Sequence, residues 1–577
     1  MKALRVRVRA WLDGRRAPLV IVLFTLAITI GSVRVGFYTD DHPFRAALHG
    51  QWPGGPPWWD LYRFATPPTN ARAIEAGVLP WWTAPRLALH LLRPLGSALF
   101  ALDDALFGAN PLGWHLHSIA WYLALVAAAG WLLRGALGRV SGNLAMLIFA
   151  ASVAHFHPWA WPSCRHTVLA ALPVTLALGV FARDPRRGRF ALALGLALGL
   201  LGGESALGVL PFALARVALD RSRRWRDRAL DLAPAAAVLA AYVVVYARLG
   251  CGANDSDGYV DPTASPARFA ARAALMFPIM LGNAITSVPA ELANLGITTP
   301  LVAVGAASAL GTALLVRASL PRLSDEERGA LGWLVAGATL AILPGLGGFP
   351  GARTLLLPNL GFAALLAVVI RRASSAPSRG PRLAALALAL VHVVLAPVID
   401  LGNIAFNTRI ARATESIAEA ADLDASHRRA FFLGSADPMI GMYAPTVLYE
   451  RAPERLACWS NLSGTKGAHR LTRSGPRSLV VRPLEGPFLR GPFETLFRTR
   501  ALPVPLGYTA RQCGATFVVT EVEGDRPRAV EVTLDVALDD PGVRLLAWRG
   551  GRLRALDPPV EGASIDVAAE PGPMGDF

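Results

Sequence analysis

Charge is scarce in this sequence. Only 17% of its 577 residues are Asp, Glu, Lys or Arg, where a soluble globular chain carries about a quarter. With 53% hydrophobic residues, that shortfall excludes an ordinary soluble protein and leaves apolar sequence for many membrane spans of about 20 residues each. Acidic residues are the rarer sign, 41 against 57 basic ones, for a formal net charge of +16. The excess, mostly Arg, is not gathered on one soluble stretch as nucleic-acid binding would require. It falls in short runs between apolar segments, so no nucleic-acid partner is expected. The sequence contains no phosphate loop, dinucleotide fingerprint or HExxH pair, which removes support for an ATP-driven pump or a soluble-type nucleotide-sugar transferase. Cysteines number four, none in a CxxC pair, so no zinc site is indicated.

What is present reads as a membrane protein. Lys2, Arg5, Arg7, Arg9, Arg15 and Arg16 precede an apolar run from Ala17 to about Val35. That run is long for a signal peptide and no small-residue cleavage site ends it, so it is expected to be a retained first span. Further candidate spans are 113–133, 142–158, 166–182, 189–202, 205–219, 232–249, 300–316, 329–346, 354–370 and 383–400. Arg-rich loops at 134–139, 183–189, 220–228, 317–328 and 371–382 fall on the same side as the basic N-terminus, which the positive-inside rule makes the cytoplasm. About eleven spans then put the C-terminus outside. The apolar segment 268–297 is interrupted by Pro278, Gly282, Asn283, Pro289 and Glu291. A re-entrant or surface-lying helix there keeps the charges consistent; a thirteen-span arrangement is the alternative.

The expected organisation is a basic cytoplasmic N-terminus (1–17), a transmembrane region (18–400) with a first outer loop at 37–112, an extracytoplasmic domain (401–557) and a flexible tail (558–577). The first outer loop carries Trp52, Trp58, Trp59, Trp81 and Trp82, a residue favoured at the headgroup interface. The stretch 84–107 has helical spacing and is expected to lie along the outer membrane surface. Beyond residue 400 a helical stretch (401–430) precedes short strand candidates at 430–433, 478–481, 516–520, 530–534 and 543–548, separated by turn-formers. All four cysteines fall on the predicted outer side, where disulfides persist. Cys164–Cys251 and Cys458–Cys513 are candidate pairs, free thiols are the alternative, and spacing does not decide the connectivity.

Asp40 and Asp41, just past the first span, are the first candidates for chemistry. In an outer loop they are either solvated or used, and the use would be as a general base taking a proton from an acceptor hydroxyl. His42 beside them could tune or assist. Asp103 and Asp104 form a second pair, expected to face water. Arg93, His115, His117, His157, Arg165, His166 and Arg353 lie at outer span ends, where the positive-inside rule disfavours Arg. Pairing or snorkelling explains such cations; so does an anion such as a lipid-linked phosphate. Glu204, between two spans, is either a functional or a helix-capping acid. Two adjacent carboxylates do not by themselves make a metal site, so no cofactor is specified and a divalent cation stays open.

Four stretches, in order, resemble the glycosyltransferase-C superfamily, and most nearly its transmembrane-and-tetratricopeptide-repeat O-mannosyltransferases and their bacterial relatives. Tyr38-Thr39-Asp40-Asp41-His42 resembles the acidic motif of the first outer loop. Leu92-Arg93-Pro94-Leu95, with the stretch ending at His115, resembles the arginine-proline motif and the histidine that opens the second span. His157-Pro158 followed by Trp161-Pro162-Ser163-Cys164-Arg165 resembles the family's histidine-proline segment. Ala352-Arg353-Thr354-Leu355-Leu356-Leu357-Pro358 resembles its arginine-led segment. The resemblance covers 18–370. It implies a polytopic α-helical membrane protein of glycosyltransferase-C type, with a small α+β or β-rich extracytoplasmic domain. It also implies Asp40 or Asp41 as catalytic base, and Arg353 and Arg165 near a donor phosphate, with His42, Arg93, His115, His157 and Glu204 in support. The sequence departs from the pattern at Ala352, where an acid is expected, and at Gly203, where a Lys precedes the Glu204-like acid. The histidine-proline segment is shortened, and no tetratricopeptide repeats follow.

The expected function is therefore transfer of a sugar from a polyprenyl-phosphate-linked donor to a protein or glycan acceptor, at the outer face of an inner (cytoplasmic) membrane. The lipid bilayer is a further partner. The rivals are a transporter or flippase of lipid-linked glycans, which would show mid-membrane ionisable pairs and an internal repeat, and a non-catalytic scaffold, which the Ala352 and Gly203 departures favour.

Overall fold

The computed structural model describes residues 2–220, 222–349, 351–434 and 437–575. The chain forms two compact units. The first comprises Met1–Val35, Leu91–Leu249 and Ser265–Asn407; the second comprises Gly36–His90, Gly250–Ala264 and Thr408–Phe577.

The first unit is helical. Among the described residues, eight helices are long and apolar enough to cross a membrane by length and composition. The remaining expected spans are shorter or Arg-led helices: Pro185–Gly202, Val209–Ala218 and Pro358–Ala373. The 40-residue helix Pro111–Ala150 is broken at Gly138, where φ is 73°. There the chain doubles back, so that the Tyr122 hydroxyl donates to the Ala150 carbonyl at 3.1 Å. A Cβ on Gly142 would lie 2.5 Å from the Arg134 Cα, so only glycine lets the two legs close. The pair His166–Arg183 and Pro185–Gly202 is packed in the same way. Asp184 caps the second helix by accepting from the Arg187 amide at 3.2 Å. Gly188, Gly195, Gly199 and Gly202 face Phe181, Ala177, Ala170 and Val174 so closely that any side chain would collide. Small residues that let helix backbones touch are the packing device of membrane bundles, where apolar burial alone does not drive association. At the base of Asp325–Ala341, Ser324 and Glu327 form a capping box, and Glu327 also receives Arg371 and Arg372.

The interrupted apolar segment forms the helix Pro266–Thr286, one of the eight long and apolar enough to cross. Arg272, in its second turn, donates to the Gly348 carbonyl at 2.5 Å. Glu291, just past its end, accepts from the Ala352 amide at 2.6 Å.

The second unit is built on β-sheets. A six-stranded antiparallel sheet has the order Ser564–Val567, His469–Gly475, Ser478–Pro483, Arg526–Leu534, Ala515–Glu523, Thr509–Gln512. A four-stranded sheet runs Arg552–Ala555, Val543–Arg549, Arg429–Leu433, Cys458–Asn461, with its three last-named strands parallel. All five expected strand segments form strands; Ser478–Pro483 alternates buried and part-exposed residues, whereas residues 430–433 are buried throughout. A third, small sheet pairs Arg63–Ala65, Ala88–His90 and Gly252–Asn254. Cys458 is bonded to Cys513, while the Cys251 thiol lies 3.6 Å from His90 Nδ1.

Two expectations are corrected here. Trp81 and Trp82 do not lie at a membrane interface: both are fully buried in the core of the second unit, where Trp81 stacks on Phe517 at 5.4 Å. The rings are better satisfied there, because each indole N–H also finds a carbonyl, Leu462 for Trp81 and Glu494 for Trp82. Ser564–Val567, within the segment expected to be a flexible tail, pairs with His469–Gly475, so its backbone is satisfied by the sheet. The last two residues of that segment lie outside the described residues.

Candidate functional site

In the second unit the acidic pair opens the helix Asp41–Leu48. Thr39, at φ 51°, turns the chain sharply so that the two carboxylates take different environments. Asp41 is fully buried and its Oδ2 accepts from the Tyr38 amide at 3.2 Å. Asp40 is half-buried, and its Oδ1 accepts from the Tyr443 hydroxyl at 2.9 Å. Burial pushes the Tyr443 hydroxyl well above the ordinary tyrosine range, and the Asp40 charge pushes the same way. Tyr443 therefore stays protonated and donates.

The same short helix is clamped one turn further on. His42 Nδ1 lies 2.5 Å from Glu450 Oε2, and Arg45 pairs with the other oxygen of that carboxylate. The Arg45 guanidinium also sits 4.4 Å above the Phe37 ring. Burial acts to raise the Glu450 carboxyl, but the His42 hydrogen bond and the His42 and Arg45 charges outweigh it and hold it below the usual carboxylate range. Tyr443 and Glu450 are missing from the sequence-based expectations, because they lie some four hundred residues from the motif they serve.

In the first unit, residues from five separated segments come together. Arg93 donates from Nε to Glu204 Oε2 at 3.1 Å, and its Nη1 lies 3.0 Å from His166 Nε2. Arginine has no acceptor, so His166 accepts here and is neutral. Gly203 sits against this pair: a Cβ on it would be 3.3 Å from His166 Nδ1 and 3.4 Å from Arg93 Nε. Its φ of 154° also belongs to glycine, which accounts physically for the residue that stands there. Arg353 lies within electrostatic reach of His166 and of His157, and Glu291 of His157. Arg353 and Glu291 face each other across Gly351, whose Cβ position is 2.9 Å from the guanidinium and 3.4 Å from Glu291 Oε1. The carboxylate expected at position 352 is thus supplied from another segment. The sequence offered a signal for it in the acid that interrupts an apolar segment.

Arg165 is bonded to a different set of residues. Arg165 is buried and pairs with Asp103 at 2.6 Å, and Asp103 also takes His117 Nδ1 at 2.6 Å. Asp103, expected to face water, is fully buried; it neutralises an arginine that burial would otherwise leave uncompensated. His115 is buried within the helix Pro111–Ala150. Among the described residues no group of three or more His, Cys, Asp or Glu could hold a metal ion.

Comparison with known proteins gives the following. No family model matches the chain, and no curated protein does. Solved structures are similar at low identity. The oligosaccharyltransferase of Archaeoglobus fulgidus in its apo form is 12% identical, covers 78% of this chain and 65% of its own, and has a TM-score of 0.42. The arabinofuranosyltransferase AftD from Mycobacteria is 16% identical over 91% of this chain and 40% of its own, with a TM-score of 0.35. ArnT from Cupriavidus metallidurans, bound to undecaprenyl phosphate, is 12% identical over 77% of this chain and 89% of its own, with a TM-score of 0.30. The chain spans about two thirds of the archaeal enzyme's length and less than half of AftD's. The functional reading below rests on this chain's own residues.

Proposed function

We propose that the protein is a membrane glycosyltransferase that moves a sugar from a polyprenyl-phosphate-linked donor to an acceptor hydroxyl at the outer face of the membrane. The observation that supports this reading most is the gathering of Arg93, His157, His166, Arg353, Glu204 and Glu291 from separate segments of the first unit. Two arginines in part-buried surroundings are costly without a use or a partner. Here Glu204 holds Arg93, and the Phe349 carbonyl accepts from Arg353. A phosphodiester arriving there would receive charge-assisted hydrogen bonds from Arg93 and Arg353, and Arg353 would stabilise the charge that develops on the leaving phosphate. Arg165, held by Asp103, supports the fold of this region.

Asp40 acts as the general base. It takes the proton of the acceptor hydroxyl as that oxygen attacks the sugar C1, and the C1–phosphate bond breaks with its electron pair leaving on the phosphate. The acceptor is a protein or a glycan. The orientation has the basic N-terminus and the Arg-rich loops in the cytoplasm.

The test uses the full chain in lipid nanodiscs, with undecaprenyl phosphate as a binding probe and radiolabelled polyprenyl-phosphate sugars as donors. Arg93→Ala and Arg353→Ala should each weaken probe binding about tenfold or more. Asp40→Asn should leave binding intact and abolish transfer. Unchanged probe binding in both arginine variants, or full transfer by Asp40→Asn, would sink the reading.

A further inference from the structure

We infer that Tyr443 is the residue that makes Asp40, and not Asp41, the reacting carboxylate: it is a positioning residue that holds Asp40 by a hydrogen bond from the C-terminal part of the chain. The inference deepens the proposed function and rests on its assignment of the acidic pair as the base. The two acids are adjacent, equally acidic in type, and both at the start of one helix, so the local sequence does not separate their roles. Their surroundings do. Asp41 is fully buried and ties down the Tyr38 amide, a capping arrangement that uses up its access to substrate. Asp40 keeps part of its surface open and meets the Tyr443 hydroxyl at 2.9 Å.

Tyr443 stands immediately before the helix Ala444–Arg451, whose Glu450 takes His42 and Arg45. The two contacts are seven residues apart, about two helical turns, so one face of one element grips the Asp41–Leu48 helix twice. Rotating or shifting the C-terminal helix would move the carboxylate with it. Besides Asp40, Tyr38 and Tyr259, the latter from the segment 250–264, lie within electrostatic reach of Tyr443. His42, Arg45 and Glu450 neutralise one another one turn away. The Tyr443 hydroxyl donates to Asp40 Oδ1 at 2.9 Å, and a donor to the ionised form favours that form, so the contact fixes the orientation of the Asp40 carboxylate.

The labelling measurement needs no donor or acceptor. The full chain in nanodiscs is treated with a water-soluble carbodiimide across a pH series, and labelling of Asp40 and Asp41 is read by peptide fragmentation mass spectrometry. Carbodiimides add to protonated carboxylic acids, so the pH midpoint of labelling reports where each acid ionises. In the native chain Asp40 should label and Asp41 should not. Tyr443→Phe, which removes one oxygen and keeps the ring, should raise the Asp40 midpoint by about one pH unit. The acid limb of the transfer activity should move by the same amount. Tyr259→Phe, which leaves the 2.9 Å contact in place, should move it by less. An unchanged Asp40 midpoint in Tyr443→Phe, or preferential labelling of Asp41, overturns the inference even in an enzyme that transfers sugar. Absence of transfer with a shifted midpoint overturns the glycosyltransferase reading and leaves the Tyr443 contact standing.

Discussion

Removing the Glu450 carboxylate alone should destabilise the second unit more than removing it together with the Arg45 guanidinium. Glu450 lies between His42 and Arg45, and all three side chains are nearly inaccessible, at 3%, 0% and 5%. Glu450→Ala leaves a buried guanidinium and a buried imidazole without their partner. Breaking a buried pair in this way costs about 3–5 kcal/mol, which for a unit of this size lowers the unfolding midpoint by roughly 6–20 °C. Replacing both ends, Arg45→Met with Glu450→Leu, removes the desolvation cost along with the attraction and should recover most of that loss. The pH dependence has a definite sign. The folded carboxyl is held below its usual range, so its contribution is complete above the ordinary carboxylate range, about pH 4.3, and is lost as pH falls through the folded value. The assay is thermal unfolding of the purified full chain by near-ultraviolet circular dichroism, whose signal is dominated in this unit by Trp81, Trp82 and Trp459, all buried. A Glu450→Ala variant that melts with the native chain, or a double variant that is worse than the single, would refute the reasoning.

Three further outcomes are expected. Reducing Cys458–Cys513, which closes a loop with a sequence separation of 55, should cost the second unit about 4 kcal/mol by the chain-entropy estimate; denaturant titration with and without reductant measures it. Gly142→Val places atoms where the Arg134 backbone stands 2.5 Å from the Cβ position, and should abolish folded yield by size-exclusion profile, whereas Gly329→Ala, with open space around it, should not. Burial lowers the His469 imidazole to about 4, so its contribution is complete above the unfolded value of about 6.5 and is lost as pH falls toward the folded one. His469→Gln should therefore flatten the stability profile of the second unit between those limits, and identical slopes in the two proteins would contradict this.

Local pattern carried much of the fold. Apolar runs of helical length placed the hydrophobic helices, and short apolar runs between turn-formers placed the strands at 478–481 and 530–534. Other strands were not legible. Cys458–Asn461 is buried on both faces and shows no alternation, and Thr509–Gln512 is a short, polar edge strand. The four motif stretches made the candidate residues of both clusters nameable by number. Tyr443, Glu450 and Glu291 were not nameable as site residues, since nothing within a turn or two of them marks the partner they serve.

The sequence by itself determined that this chain is rich in membrane-length apolar helices, that its arginines flank them in short loops, and that a strand-rich region follows residue 400, because all three follow from patterns shorter than about twenty residues. Only the tertiary structure decided which of two adjacent aspartates is buried, that Trp81 and Trp82 belong to a core, that Asp103 neutralises Arg165, and that a glutamate from another segment stands where Ala352 has no charge. Each of those outcomes depends on a side chain far away in sequence. The Tyr443–Asp40 and His42–Glu450 pairs are separated by 403 and 408 residues, and the burial that gives such contacts their strength exists only once the chain has folded.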